Sequence, residues 1–132
     1  EFVDLGCGNG TPCFAAAQLG YRALGFELEA SWVEACTSVG RQMDWPCRFE
    51  CEDFLEVPWP QPAVVFIVLT AFSVELREKL WDRFRELEPG SLFLLGDGEP
   101  PQDFEVLWVG KLPVYWGIIE FSIARLRGEG GE

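Results

Sequence analysis

The chain has 132 residues, and 48% of them are hydrophobic, which is enough to form a core and excludes a disordered chain. Asp and Glu outnumber Lys and Arg by 22 to 10, a formal charge of −12, which disfavours nucleic acid as a partner because phosphates are bound mainly by basic residues. The length predicts one domain, residues 1–127, and a disordered tail at residues 128–132.

The sequence predicts neither a membrane span nor a metal site. No apolar run approaches the roughly 20 residues that a transmembrane helix needs, so no membrane partner is expected. The five cysteines form no C-x-x-C pair and the chain contains no histidine, so no metal is expected. An odd number of cysteines without a signal peptide is typical of reduced thiols and a cytoplasmic protein.

In chain order, the first part of the sequence alternates between apolar strand-like runs and helical patterns. The expected strands are residues 1–5, 21–27, 47–51, 63–69 and 91–96. The expected helices are residues 11–19, 30–43 and 73–87. Alternating strands and helices predict an α/β fold with a doubly wound parallel sheet, because right-handed crossovers place consecutive strands side by side.

The C-terminal part breaks this alternation. Residues 103–109 and 114–127 are two strand-like segments with no helix between them, and Lys111–Leu112–Pro113 predicts a short turn. The predicted fold is therefore a mostly parallel, seven-stranded, Rossmann-like sheet with an antiparallel C-terminal hairpin.

A glycine-rich turn follows the first strand, where the sequence reads VDLGCGNG. Glycines let the backbone adopt positive φ and approach a ligand, and the helix behind them offers free N–H groups to an anion. The segment resembles the first motif of class I S-adenosylmethionine-dependent methyltransferases. The resemblance implies S-adenosyl-L-methionine as cofactor, with Asp4 beside its ammonium group and the turn residues Gly6, Cys7, Gly8 and Gly10 around it.

Later residues extend the resemblance in the expected order. It implies that Glu27, at the end of the second strand, accepts hydrogen bonds from both ribose hydroxyls and that Leu28 lies beside the cofactor. It places Asp53 near the adenine amino group and Phe54 over the ring. Structural alternatives stay open: Asp4 as a strand-end residue that bonds the turn, Glu27 as a helix-start carboxylate, Asp53 as a solvated loop residue and Phe54 as core.

The acceptor region is expected after the fourth strand, where this family holds the methyl acceptor. Thr70 is the candidate catalytic residue, and the alternative is an ordinary loop in which Ser73 caps the next helix. Asp97, after the fifth strand, is a further candidate that could contact the substrate or nothing. Trp59, Tyr115 and Trp116 could line the acceptor pocket, but aromatic residues at this density are more often core.

A narrower resemblance concerns the acceptor. The run DFL at 53–55 and the segments AVVFIVLTAFS and ELREKLWDRFRELEPG are similar to seven-strand protein-lysine methyltransferases. Those of the histone type carry an Asn-rich stretch where this chain has Val68–Leu69–Thr70. The similarity implies a protein lysine amine as the first acceptor hypothesis. The departure at residues 68–70 counts against lysine, so a small-molecule N- or O-acceptor is the second.

Two readings from other classes remain. A nicotinamide enzyme would also use a glycine-rich turn, but its fingerprint is G-x-G-x-x-G/A, and Thr11 stands at the last position here. A non-catalytic protein that binds the same cofactor would share every motif. The aromatic residues of the C-terminal hairpin also predict a homodimer, because large exposed apolar patches usually mark interfaces.

Overall fold

The computed structural model describes residues 1–61 and 63–127 and divides the chain into two compact units, Glu1–Phe66 and Ile67–Glu132. The predicted tail at 128–132 lies outside the described residues. Within the described ranges, no helix is long and apolar enough to cross a membrane.

The first unit contains three parallel strands and two helices. Its strands are β1 (Phe2–Leu5), β2 (Ala23–Phe26) and β3 (Cys47–Glu50). Its helices are α1 (Thr11–Gln18) and α2 (Ala30–Met43), and a 3-10 turn follows at Phe54–Glu56. β1 and β2 are buried along their full length, as expected of central strands covered on both faces.

Small and aromatic side chains form the core of this unit. Cys13 of α1 and Cys36 of α2 are buried together with Phe2 of β1 and Phe49 of β3. The ring of Phe14 lies 5.5 Å from that of Phe49, edge to face. This packing fixes α1 and α2 against the strands and so positions the turns that follow β1 and β2.

The second unit holds the rest of the sheet. β4 (Val64–Val68) begins in the first unit and is followed by α3 (Val74–Arg85) and β5 (Leu92–Gly96). The chain ends in the long strands β6 (Phe104–Val114) and β7 (Gly117–Leu126). Phe84 of α3 stacks on Phe93 of β5 with the ring centroids 4.4 Å apart, at the centre of this unit's core.

The strand order is β3-β2-β1-β4-β5-β7-β6. β1 pairs in parallel with both β2 and β4, whereas β7 is antiparallel to both of its neighbours, β5 and β6. The predicted doubly wound sheet with an antiparallel end is confirmed. The sequence did not predict that β7 lies between β5 and β6.

The position of the hairpin turn was predicted wrongly. Lys111, Leu112 and Pro113 are paired residues of β6, and the turn lies at Tyr115–Trp116. Pro113 resembles a turn residue in sequence, but a proline is tolerated in an edge strand, and β6 is last in the strand order.

Candidate functional site

The glycine-rich turn has the backbone conformation that the sequence predicts. Gly6, Gly8 and Gly10 have φ values of 83°, 50° and 78°, in the region that side chains disfavour. A Cβ at Gly10 would come within 2.9 Å of the Cys36 sulfur, whereas one at Gly6 or Gly8 would meet nothing within 4 Å. The turn is therefore packed from behind at Gly10 and open to a ligand at Gly6 and Gly8.

Asp4 lies at the base of this turn and is only 2% exposed. Its Oδ2 is buried and has no hydrogen-bond partner in the described part of the chain. Burial, with a smaller contribution from the Glu27 carboxylate, raises the pKa of Asp4 to about 8. If Asp4 only stabilised the turn, its unpaired Oδ2 would have no explanation. An ammonium group beside Asp4 would supply the missing hydrogen-bond donor.

Glu27 follows β2 and connects two turns. Its Oε1 accepts a hydrogen bond from the Gly8 N–H and its Oε2 one from the Glu29 N–H, both at 3.0 Å. Glu29 is the N-cap residue of α2. The Glu27 carboxylate therefore stabilises the start of this helix, and it is also the group predicted to bind the ribose. Each oxygen has a second lone pair that could accept a ribose hydroxyl.

Cys36 is a supporting residue that the sequence did not reveal. Its thiol donates to the Gly8 carbonyl oxygen at 3.5 Å, and the Gly8 N–H donates to Glu27. Both backbone polar groups of Gly8 are therefore bonded by side chains. Burial is the largest cause that raises the pKa of both Cys36 and Cys7, which keeps the two thiols neutral. Because cysteine packs as a small apolar residue, only the folded structure reveals this contact.

The remaining predicted cofactor residues lie around the ends of β2 and β3. Leu28 is 72% exposed, like several other apolar side chains of the chain, so a ligand contact at this position stays open. Asp53 caps the 3-10 turn, since its carboxylate accepts the Leu55 N–H at 3.0 Å. Phe54 is half-buried, and its ring lies 6.5 Å from that of Trp59. Asp53 and Phe54 therefore have structural roles that leave a ligand contact open.

The predicted acceptor residue, Thr70, is exposed in the loop between β4 and α3. The alternative for Ser73 is confirmed, since its hydroxyl accepts the Leu76 N–H at 3.2 Å and caps α3. The sequence analysis missed Arg77, whose guanidinium donates to the carbonyl oxygens of Leu69 at 2.7 Å and Phe72 at 3.2 Å. An arginine near a helix N-terminus opposes the helix dipole, which was the available sequence signal.

The four other candidates for the acceptor pocket have different surroundings. Trp59 is buried and donates to the Phe54 carbonyl oxygen at 2.9 Å, as a core residue would. Tyr115 and Trp116 are exposed at the hairpin turn, so the interpretation of these two as core is wrong. Asp97 has a φ of 59° and donates its N–H to the Glu120 carbonyl oxygen at 2.8 Å.

The first unit thus offers space above Gly6 and Gly8, an unpaired buried carboxylate at Asp4 and exposed apolar surface at Leu28. These features fit S-adenosylmethionine, which carries an ammonium group and an adenosine moiety. Within residues 1–61 and 63–127, no group of His, Cys, Asp or Glu side chains is arranged to hold a metal ion.

Comparisons with known proteins identify a family for the chain. The family described as a methyltransferase domain matches residues 2–90, more than half of the chain. A search of curated proteins gives no match. The likenesses to solved structures described next are below 25% identity and show the fold alone.

Among solved structures, a SAM-dependent methyltransferase from Methanosarcina mazei is 15% identical at a TM-score of 0.76, over 95% of this chain and 92% of that one. Magnesium protoporphyrin IX methyltransferase from Synechocystis PCC 6803, crystallised with bound SAM, is 14% identical at a TM-score of 0.72. The match covers 94% of this chain and 69% of that one. The [4+2]-cyclase SpnF is 18% identical at a TM-score of 0.66, and the match covers 83% of this chain and 52% of that one.

Proposed function

The chain belongs to the methyltransferase domain family, and we propose that it transfers the methyl group of S-adenosylmethionine to an acceptor nucleophile. The observation that carries the proposal is the buried, unpaired Asp4 carboxylate beneath an open glycine turn. A pyridine nucleotide has no ammonium group to satisfy Asp4, which disfavours the nicotinamide alternative.

When bound, S-adenosylmethionine supplies an electrophilic methyl group on a sulfonium centre. Asp4 would accept hydrogen bonds from the ammonium group, and Glu27 would accept them from the ribose hydroxyls. Gly6 and Gly8 would let the backbone approach the ligand closely. The chain contributes mainly by positioning, because a sulfonium leaves readily and in-line alignment of the reacting atoms supplies much of the rate.

Asp53 and Phe54 are the proposed adenine contacts, and Cys7, Gly10 and Leu28 complete the proposed cofactor set. Thr70 is the proposed catalytic residue on the acceptor side. All five cysteines are free thiols, which supports a cytoplasmic location.

The proposed acceptor is a lysine amine of a basic protein. A formal charge of −12 attracts cationic partners by long-range electrostatics, which supports this acceptor class. A small-molecule acceptor is the second candidate, since one structural neighbour is magnesium protoporphyrin IX methyltransferase. Incubation with S-adenosylmethionine labelled in the methyl group and a cell lysate separates the two, according to whether label enters protein or small molecules.

Ligand-induced stabilisation tests the cofactor. S-adenosylhomocysteine, the demethylated product, should raise the free energy of unfolding by about 2.7 kcal/mol at roughly one hundred times its dissociation constant. The corresponding rise in melting temperature is measured by calorimetry, with NAD as the matched control. A rise with NAD and none with S-adenosylhomocysteine would contradict the proposal.

Glu27→Ala tests the ribose contact. Loss of charge-assisted hydrogen bonds should weaken S-adenosylhomocysteine binding at least about tenfold, since about 1.4 kcal/mol is a factor of ten. Cys36→Ala is the control, because it removes a bond to the carbonyl of the same residue, Gly8, without touching the ribose. Equal weakening in both variants would show that Glu27 acts only through the turn.

Thr70→Val should leave cofactor affinity unchanged and lower turnover. A non-catalytic binding protein would lose affinity in Glu27→Ala and label no acceptor even as the wild type.

A further inference from the structure

An open cleft in the second unit has no part in the proposed cofactor site. It encloses about 360 Å³, a volume within the range of small-ligand pockets. Glu120 and Ser122 of β7 line it, together with Val106 and Val109 of β6 and the segment 98–100 that follows β5. Ligands of open α/β sheets bind beyond the carboxyl ends of strands, and this segment leaves the carboxyl end of β5.

The wall after β5 is fixed by packing. Asp97 turns the chain with its φ of 59°, and its N–H bonds the Glu120 carbonyl oxygen of the neighbouring strand. A Cβ at Gly98 would come within 2.7 Å of Leu69 Cδ1, so this position accepts no larger residue without rearrangement. The segment that follows β5 is therefore restrained by a hydrogen bond and by packing, and it forms one wall of the cleft.

The buried side of the cleft carries an unsatisfied polar group. Ser122 is 7% exposed, and its Oγ is buried without a hydrogen-bond partner among the residues that the structure describes. Buried polar side-chain atoms are nearly always paired, so an unpaired hydroxyl beside a cleft points to a ligand that bonds it.

The two charged residues that line the cleft are both acidic. Glu99 and Glu120 are exposed carboxylates that line it, next to the partly exposed apolar side chains of Val106 and Val109. Lys111 is paired with Glu120 in the β6–β7 ladder, but within the described ranges these two residues form no ion pair. Arg77 does not line the cleft, but its Nη1 would lie 3.1 Å from a Cβ added at Gly98. Its guanidinium is already bonded to the carbonyl oxygens of Leu69 and Phe72.

We propose that this cleft binds an organic ammonium ion. The ammonium group would donate hydrogen bonds to the Ser122 hydroxyl and to the carboxylates of Glu99 and Glu120. A small apolar group attached to it would lie against Val106 and Val109. An ammonium held in this way stays protonated, so the proposal concerns binding and stands apart from methyl transfer.

Calorimetry on the protein without cofactor tests the ligand class with three probes that share one ring. The probes are 2-phenylethylammonium, the neutral 2-phenylethanol and the anionic phenylacetate. The ammonium ion should bind at least about tenfold more tightly than the alcohol, because hydrogen bonds to charged groups are the stronger ones. Phenylacetate should show no binding.

Variants locate the binding. Ser122→Ala should weaken ammonium binding about tenfold, since it removes a buried hydrogen bond to a charged group. Glu120→Gln should weaken it roughly two- to fivefold, as expected for one exposed ion pair. Lys111→Gln should strengthen binding, because it removes the like charge beside Glu120. Glu34→Gln, exposed on α2, removes one charge away from the cleft and should leave the dissociation constant unchanged.

A readout of stability separates binding from folding. Ser122→Ala removes a hydroxyl that has no partner, so its free energy of unfolding should equal or exceed that of the wild type while its affinity falls. Absence of ammonium binding would overturn the proposal, and so would equal binding of the alcohol. Equal weakening in Glu34→Gln and Glu120→Gln would also overturn it, because general attraction to an acidic protein would then suffice. Since no cofactor is present, failure here is distinct from failure of the methyltransferase proposal.

Discussion

Burial holds the Asp4 carboxyl group in its neutral form near neutral pH while no ammonium group lies beside it. Its pKa is raised from 3.8 to about 8, first by burial and then by Glu27. The unfolded chain exposes Asp4 to water, where its pKa returns to the ordinary value. Unfolding therefore releases a proton at intermediate pH, and folding stability depends on pH through this one side chain.

Asp4→Asn tests this dependence. Because the folded pKa is raised, the wild type carries no penalty from Asp4 below about pH 4, loses stability as the pH rises towards about 8, and changes no further above that. The slope should approach about 1.4 kcal/mol per pH unit between these limits. Asn avoids the loss, so the variant should gain free energy of unfolding relative to the wild type as pH rises.

Urea unfolding at several pH values measures this difference. Glu34→Gln, an exposed substitution with the same change of charge, is the matched control. A stability difference between Asp4→Asn and the wild type that is flat across this pH range would contradict the raised pKa.

Sequence patterns predicted the residues of the glycine turn, but they did not predict the hydrogen bonds that hold this turn in place. Gly6, Gly8 and Gly10 were identified because positive φ is a local requirement that glycine meets. The two N–H partners of Glu27 and the contact of Cys36 with Gly8 depend on how α2 packs, which no local pattern encodes.

Among the elements, the loop between β4 and α3 is held by an arginine on the helix that follows it. Arg77 donates to two carbonyl oxygens of this loop, at Leu69 and Phe72, and the exposed Thr70 lies between them. A charged donor shared by two carbonyls restricts the backbone between them. Arg77 therefore limits the conformations available to the proposed acceptor residue.

Arg77→Met should expose this restraint. Loss of two charge-assisted hydrogen bonds should lower the free energy of unfolding by about 1–3 kcal/mol. Amide hydrogen exchange should also accelerate at residues 69–72. Lys79→Met, exposed on the same helix, is the control and should change neither quantity. Unchanged exchange at residues 69–72 in Arg77→Met would show that the loop is held by other contacts.

The hairpin shows where element prediction fails. β6 was predicted to end at Val109 because glycine and proline follow, at Gly110 and Pro113. In the structure, the Trp108 ring covers the position that a Cβ at Gly110 would occupy, so this glycine makes room for an aromatic side chain. The pairing continues to Val114, and the strand is longer than its composition indicates.

For the whole molecule, the homodimer stays a prediction, and the exposed C-terminal hairpin is the surface through which we expect it to form. Trp108, Tyr115 and Ile118 are exposed on the C-terminal hairpin, and Tyr115 is 97% exposed. The stretch from 106 to 119 contains a single charged residue, Lys111, in a chain with 32 charged residues. An uncharged apolar surface on an acidic protein is where self-association would least be opposed by repulsion.

Light scattering as a function of concentration measures the assembly. The wild type should approach the mass of two chains at tens of micromolar, and Tyr115→Ser combined with Ile118→Ser should shift it towards one chain. Because both side chains are exposed, this double variant should keep the wild-type free energy of unfolding. A wild-type mass of one chain throughout would rule the dimer out.

The edge of β6 affects how the protein behaves when it is crowded. β6 is last in the strand order, so its outer edge could accept a strand from another molecule and begin the growth of a fibre. Pro113 continues the ladder with β7, yet it has no N–H to donate to an incoming strand. The register shift between Val106 and Trp108 interrupts the edge a second time. With a proline near one end and a bulge near the other, only a few residues of this edge can be extended, which protects an apolar hairpin from fibrous aggregation.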